Sequence, residues 1–126
     1  MKDITSKADV KLMVDSFYRK VNEDELLGPV FNDIAKVNWE NHLPRMYTFW
    51  ESLIFHTAQF RGNPFQKHIP LPIGKNHFDR WLALFNNNMR SLFDGPVAEE
   101  TIRKAESIGY IFQNKLSYIH SGDKVK

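Results

Sequence analysis

The sequence predicts an all-α fold in a single domain. Apolar residues recur at spacings of three and four in successive blocks, as they do on one face of a helix. Proline and glycine separate these blocks, and no alternating apolar run with a hairpin turn is present. The chain of 126 residues has room for one domain and one substantial core. We therefore expect residues 1–126 to form one helical unit, with 120–126 as a flexible tail.

The composition excludes several classes of function. Lys plus Arg total 17 and Asp plus Glu total 15, and a net charge of +2 is too small for a nucleic-acid-binding surface. No apolar run is long enough to cross a membrane, and no cysteine is present to form a disulfide, hold zinc or attach a cofactor covalently. We expect a cytoplasmic protein. The chain has 10 Phe, 4 Tyr and 3 Trp. These residues predict a core, or a ligand enclosed by it, that is large and has flat faces.

The first block predicts a helix over residues 7–21. Ser6 and Asp9 resemble a capping box at its start. After Leu27 and Gly28 break the chain, Pro29 is suited to the first turn of a short helix. The inward stripe of the first helix consists of Val10, Met13, Val14, Phe17, Tyr18 and Val21.

The second block has an apolar face with helical spacing from Trp39 to Ile54. Pro44 is tolerated only near the start of a helix, where its missing N–H would have no partner. We therefore expect the main helix to begin near His42, with Asn41 as its cap.

Residues 59–76 differ from the rest because five prolines and glycines interrupt them. Asn63 can cap one short helical turn over residues 64–68, which Pro70 then stops. Irregular segments of this length in compact domains are usually functional or disordered. The apolar residues in this one favour packing and function.

Two long helices complete the prediction. One covers residues 76–93, and Asp94, Gly95 and Pro96 then form a stop, a turn and a restart. The last helix covers residues 96–119. Its inward residues are Ile102, Ala105, Ile108, Phe112, Leu116 and Ile119.

The sequence has no phosphate-binding loop, no nucleophile elbow and no paired metal-binding histidines on one helix. Histidine and aromatic residues remain. His42 and His68 are separated by one helix and an irregular segment, which can place them on opposite sides of a slot. Tyr18 and Trp81 carry polar groups that need partners when buried. Taken singly, each of the four is more often an ordinary structural residue than part of a site. Together they suit a flat, apolar, metal-bearing ligand.

Five segments of the chain resemble a known family in their order and spacing. They are FYRKV at 17–21, LGPVF at 27–31, WENH at 39–42 running to FW at 49–50, GNPFQKH at 62–68 and HFDRWLALF at 77–85. In these the chain resembles a truncated haemoglobin, a short globin whose helices form a two-over-two sandwich around haem. The chain has no Gly-Gly pair, which favours the third group of that family.

The resemblance implies a role for each matching residue. His68 corresponds to the proximal ligand of the haem iron. Tyr18, His42 and Trp81 correspond to the distal residues that stabilise a bound ligand, with Trp81 also lining the haem. His42 can act as a gate between pocket and solvent. Further haem contacts are expected from Phe31, Met46, Phe49 and Trp50, with His77 and Arg80 as weaker candidates for the propionates.

The resemblance implies a haem b protein that binds dioxygen and other diatomic ligands at a five-coordinate iron. Oxygen transport belongs to this expectation, although strong distal donors suit chemistry on dioxygen better. Nitric oxide detoxification and peroxidase-like chemistry, with peroxide as a ligand, are hypotheses. Either would need a separate reductase, and whether the chain is an enzyme stays open. Carbon monoxide should also bind, and a monomer or weak dimer is expected. Two alternatives are a cofactor-free helical interaction domain and a non-haem metal site.

Overall fold

The computed structural model describes residues 1–57, 68–69 and 71–125, with side chains as far as residue 120. These residues are helical and contain no strand, so the all-α prediction is confirmed. No helix among them has the length and apolar character needed to span a membrane. The elements are α1 (Lys7–Glu23), α2 (Leu27–Pro29), a π-helical turn (Val30–Ile34), α3 (Trp39–Phe55), α4 (Lys75–Leu92) and α5 (Pro96–Val125).

The four long helices form two layers. Helices α1 and α3 pack together in one layer, α4 and α5 pack together in the other, and α1 crosses α4 between them. Phe17 of α1 and Phe85 of α4 are fully buried at this crossing, with ring centroids 5.3 Å apart. The core therefore lies where the two layers meet, as in a two-over-two sandwich.

Helix α1 begins as its sequence predicts. Ser6 accepts a hydrogen bond from the Asp9 N–H at 3.2 Å, and Asp9 accepts from the Ser6 N–H at 3.2 Å. This capping box satisfies two N–H groups that have no partner within the helix. All six residues of the predicted inward stripe are buried.

The N-terminal residues have a role that the sequence analysis missed. The Asp3 carboxylate accepts hydrogen bonds from the N–H groups of Val97 and Ala98, at 2.9 and 2.8 Å, and so caps α5 across 94 residues of chain. Gly95 adopts a φ of 144°, and a Cβ there would collide with the Asp3 side chain. Glycine is therefore required at this turn for both its backbone angle and its lack of a side chain.

The predicted start of α3 was wrong. The helix begins at Trp39 with Asn38 as its cap, whose side chain accepts from the Glu40 N–H at 3.1 Å. Pro44 therefore lies inside the helix rather than in its first turn. The cap and the packing of Trp39 on Phe31 and Tyr18 stabilise the additional turn despite the proline.

Two other boundaries also differ from the prediction. The short helix starts at Leu27 rather than Pro29, because the Asp24 carboxylate accepts from the N–H groups of Leu26 and Leu27. Helix α5 continues to Val125, so the residues predicted as a tail from 120 are helical up to that point. The predicted turn over 64–68 lies outside the described residues except for His68.

Candidate functional site: a distal cluster and a proximal histidine

Four rings from three elements form a compact group, which we call the distal cluster: Tyr18, Phe31, Trp39 and His42. The Tyr18 ring is 5.4 Å from His42, 5.5 Å from Trp39 and 6.0 Å from Phe31, measured between centroids. Phe31 and Trp39 are stacked with centroids 5.8 Å apart. The structure therefore brings together three residues that the sequence analysis assigned to the site, and adds Trp39.

Local structure explains how the cluster forms. Trp39 and His42 are three residues apart in the first turn of α3, so their side chains lie on one face. The Trp39 indole N–H donates to the Asn32 side chain at 2.9 Å, and Asn32 donates to Asn22 at the end of α1 at 2.8 Å. These bonds connect α1, the π-helical turn and α3 around the cluster. The spacing of Trp39 from His42 was the signal that could have identified Trp39.

Tyr18 combines burial with an unused donor. Its side chain is 6% exposed, and burial raises the pKa of its hydroxyl well above the ordinary value. The hydroxyl is therefore protonated and available as a donor over the whole physiological range. No hydrogen bond joins it to any of the described residues. A hydroxyl that stays protonated beside His42 and Trp39 can donate a hydrogen bond to a ligand.

Trp81 lies beside the cluster on α4. Its ring packs edge-on against Phe17 at 5.8 Å and stacks on Phe85 at 5.7 Å. Within the described ranges its indole N–H also has no hydrogen-bond partner. Tyr18 directly follows Phe17 on α1, and Trp81 contacts Phe17 from α4. The two donors therefore lie near the same part of the helix crossing.

His68 is held by the last helix. Its ring lies edge-on to Phe112 of α5, with centroids 5.2 Å apart. The adjacent Ile69 carbonyl is 3.1 Å from the His120 ring nitrogen Nε2, also on α5. The sequence analysis does not assign His120 to the site. The structure instead places it against the segment that carries His68, a long-range contact that no local pattern signals.

The remaining candidates on α3 occupy different environments. Met46 is half-buried and lies one turn after His42. Phe49 packs edge-on against Trp50 at 5.3 Å, whereas Trp50 is 2% exposed and stacks on Phe85 of α4. Trp50 is thus part of the core. Cofactor contacts of these three residues stay predictions.

The two propionate candidates are at the start of α4, and both have protein partners. The Nδ1 atom of His77 accepts from the Gly74 N–H at 3.1 Å, so a neutral His77 ring carries its proton on Nε2 and can donate from there. The Arg80 guanidinium is 2.6 Å from the Asp24 carboxylate. Their roles toward propionates stay predictions.

Comparison with known proteins was made for sequence and structure. Residues 2–110 match the model of the bacterial-like globin family. The chain is 30% identical over 117 residues to the group 3 truncated hemoglobin ctb of Campylobacter jejuni, covering 90% of this chain and 91% of the relative. The chain belongs to the bacterial-like globins, as a truncated haemoglobin of the third group. The crystal structure of group III truncated hemoglobin from Campylobacter jejuni superposes with a TM-score of 0.82 at 27% identity, covering 92% of this chain and 95% of that one.

The residues of this truncated haemoglobin fit a haem group. Tyr18 and Trp81 provide donors without protein partners, and half-buried aromatic side chains lie beside them. His68 carries an imidazole on a separate segment, and its role as the iron ligand stays a prediction. No group of three His, Asp or Glu residues among the described residues is arranged to hold a bare metal ion. The donor set thus suits an iron held within a flat organic ring.

Proposed function

We propose that this haem-binding globin carries haem b and binds dioxygen and related diatomic ligands at a five-coordinate iron. The observation that carries the proposal is the buried Tyr18 hydroxyl, a protonated donor that has no partner in the described part of the chain. The absence of cysteine excludes thioether attachment and supports a non-covalent haem. It is also typical of a reducing compartment, which supports a cytoplasmic location. We expect a monomer or weak dimer.

A bound haem would supply an iron that can take up diatomic molecules, and the protein would hold that iron through one side chain. His68 is that protein ligand. Phe112 packs against its ring, and His120 contacts the carbonyl of the residue that follows it. These contacts support a fixed orientation of the imidazole, which a metal-ligating histidine needs.

Tyr18 and Trp81 act on the diatomic ligand. The Tyr18 O–H and the Trp81 N–H would donate charge-assisted hydrogen bonds to a dioxygen molecule that carries partial negative charge. Each such bond contributes about 1.5–3 kcal/mol. Since 1.4 kcal/mol corresponds to a factor of about ten, two donors slow dioxygen release by orders of magnitude.

His42 controls access to this space. Its ring contacts Tyr18 and Trp39 at 5.4 and 5.5 Å, so it lies within the distal cluster. It is only half-buried on the first turn of α3, which supports a second orientation toward solvent. Rotation of this side chain opens and closes the pocket for small ligands.

Slow release of dioxygen suits chemistry better than transport. We propose reaction of dioxygen with nitric oxide, or cleavage of peroxide, with the distal donors stabilising the charge that develops. Sustained turnover of either reaction needs electrons, and we propose a separate reductase as their source.

The test is dioxygen dissociation measured by stopped flow in Tyr18→Phe and Trp81→Phe. Each variant should release dioxygen about tenfold faster or more, since each lacks one charge-assisted hydrogen bond. The matched control is Tyr47→Phe, which loses a hydroxyl bonded to Asp15 outside the distal cluster. Equal rates in all four proteins would contradict the distal roles. Nitric oxide consumption as fast in Tyr18→Phe as in the wild type would remove the detoxification hypothesis.

A further inference from the structure

Helices α1 and α4 meet in antiparallel order along three levels. At one end the Asn88 amide donates to the Met13 carbonyl at 3.1 Å. In the middle Phe17 contacts both Phe85 and Trp81. At the other end Arg80 pairs with Asp24, the residue that follows α1. The aromatic contacts that flank the distal donors thus lie between two polar contacts.

Asn88 is an unusual residue for its position. Its side chain is 1% exposed, and its Oδ1 atom has no hydrogen-bond partner among the described residues. An apolar residue would avoid the cost of burying an unpaired carbonyl oxygen. A buried Asn at a helix interface can instead specify register, because its amide pairs in only one alignment of the two helices.

The contact at the other end is also directional. The Asp24 side chain is 7% exposed, and Arg80 Nη1 approaches it at 2.6 Å. Desolvation raises the pKa of Asp24, but hydrogen bonds from the Leu27 N–H and from Arg80 outweigh it, so the pKa lies below its usual value. The carboxylate is therefore charged and anchored when it receives Arg80.

A change of register would separate the two distal donors. Tyr18 is on α1 and Trp81 is on α4, and both contact Phe17. Sliding one helix past the other by a turn moves its side chains by about 5.4 Å. That exceeds the tolerance of a hydrogen bond, whose donor and acceptor lie about 3 Å apart. The hydrophobic driving force that buries these rings is non-directional, whereas each polar contact requires one donor opposite one acceptor.

We propose that Asn88 and the Arg80–Asp24 pair are positioning residues that fix α1 against α4 and so aim the Tyr18 and Trp81 donors at one ligand. The inference about the donors rests on the proposed function, whereas the inference about register does not. Arg80 then acts through α1, which differs from its predicted role at a propionate.

The experiment compares Asn88→Ala, Arg80→Ala and Asp24→Asn with two matched controls. Asn87→Ala removes an exposed amide next to Asn88. Arg90→Ala removes an exposed ion pair that joins α4 to Glu99 of α5 rather than to α1. Arg80→Lys is the rescue variant, because it keeps a cation opposite Asp24.

Two readouts are taken on the protein as purified, the first on its reduced, carbon monoxide-saturated form and the second on its dioxygen complex if haem is present. The first is the nuclear Overhauser contact between the Phe17 and Trp81 rings, which reports the register with or without haem. The second is the dioxygen dissociation rate. We expect the three test variants to weaken the ring contact and to release dioxygen about tenfold faster, which corresponds to about 1.4 kcal/mol. The controls and Arg80→Lys should match the wild type.

Two outcomes would overturn the proposal. Lower stability with unchanged ring contact and dissociation rate would show that these residues only stabilise the fold. An effect of Arg80→Ala without one of Asp24→Asn would assign Arg80 to another partner. Loss of folding in Asn88→Ala alone leaves Arg80→Ala and Asp24→Asn to decide. If no haem binds at all, the proposed function fails, and the ring contact still tests the register.

Discussion

The two sides of the site are built in different ways. The distal cluster draws its rings from α1, the π-helical turn and α3, and each ring contacts at least two others. The proximal side, in the described residues, consists of His68 and Ile69 held by Phe112 and His120 of one helix. On the proposed function, we therefore expect ligand selectivity to depend on packing between helices and retention of the cofactor to depend on the second half of α5.

This difference separates the effects that mutations should have. Changes in the distal cluster should alter the rates of small ligands and leave haem in place. Changes on α5 near His68 should release haem and have little effect on ligand rates. The following predictions test that separation, from the largest effect to the smallest.

The largest of these effects is expected from Phe112→Ala combined with His120→Ala. The double variant lacks the Phe112 ring that packs against His68 and the His120 contact with the Ile69 carbonyl. The His68 imidazole can then leave its orientation. We expect haem loss to accelerate about tenfold, as metal affinity does when supporting groups are removed. Transfer of haem to an excess of apomyoglobin measures the rate. Tyr110→Ala, an exposed residue on the same helix, is the control, and equal haem loss in both proteins would contradict the account.

A smaller effect is expected from His42→Ala. Its ring contacts Tyr18 and Trp39, so its removal clears the entrance to the distal pocket. We expect carbon monoxide to bind severalfold faster after flash photolysis, with haem retention unchanged. The control is His56→Ala, an exposed residue just after the same helix. Binding that slows in His42→Ala would show that this side chain does not obstruct the pocket.

Asp3→Asn should weaken the fold and leave both sides of the site as they are. Desolvation raises the pKa of Asp3, but three backbone N–H donors outweigh it and lower the pKa below its usual value. Losing the negative charge at this cap of α5 should cost about 0.3–1 kcal/mol in the free energy of unfolding. Urea unfolding measures the loss. Asp33→Asn, on an exposed side chain, is the control, and an altered dioxygen rate in Asp3→Asn would contradict the separation.

Acid should destabilise the fold by protonating the carboxylates of Asp3 and Asp9. Hydrogen bonding to Lys2 and Thr5 lowers the pKa of Asp9, and the pKa of Asp3 is lowered as well. A depressed pKa in the folded state gives stability that is complete above the unfolded pKa of about 4 and is lost as the pH falls toward the folded pKa. The unfolding free energy should therefore drop below about pH 4, and Asp3→Asn should reduce the slope. If the unfolding free energy of Asp3→Asn depends on pH as steeply as that of the wild type, Asp3 does not contribute to the acid sensitivity.

The last prediction is that pH has no effect on the dioxygen dissociation rate in the neutral to alkaline range. Burial raises the pKa of Tyr18, so its hydroxyl remains a donor beyond the ordinary tyrosine range. The dioxygen dissociation rate should therefore stay constant between about pH 7 and pH 10. An increase toward pH 10 that disappears in Tyr18→Phe would show that this hydroxyl ionises in the range.

The sequence was most informative where structure is local. The periodic stripe of α1 and its capping box are set within one or two turns, and both were predicted. The start of α3 was predicted wrongly. Pro44 indicated a later start, and the tertiary contacts of Trp39 that stabilise the first turn have no local signal. Asp3, Asn88 and His120 have partners 51 or more residues away in the chain. No local pattern indicates such contacts, so these residues emerged only from the structure.

Haem ligation through His68 is the central claim, and an absorption spectrum tests it most directly. The protein is expressed with haem supplied, and ferric, dithionite-reduced and carbon monoxide-treated samples are compared with His68→Ala and the exposed His56→Ala. The account predicts a strong Soret band that shifts on reduction and on addition of carbon monoxide. In His68→Ala the band should be lost, or restored only by added imidazole. A missing Soret band, or one indifferent to His68, would contradict the account and favour a cofactor-free helical domain.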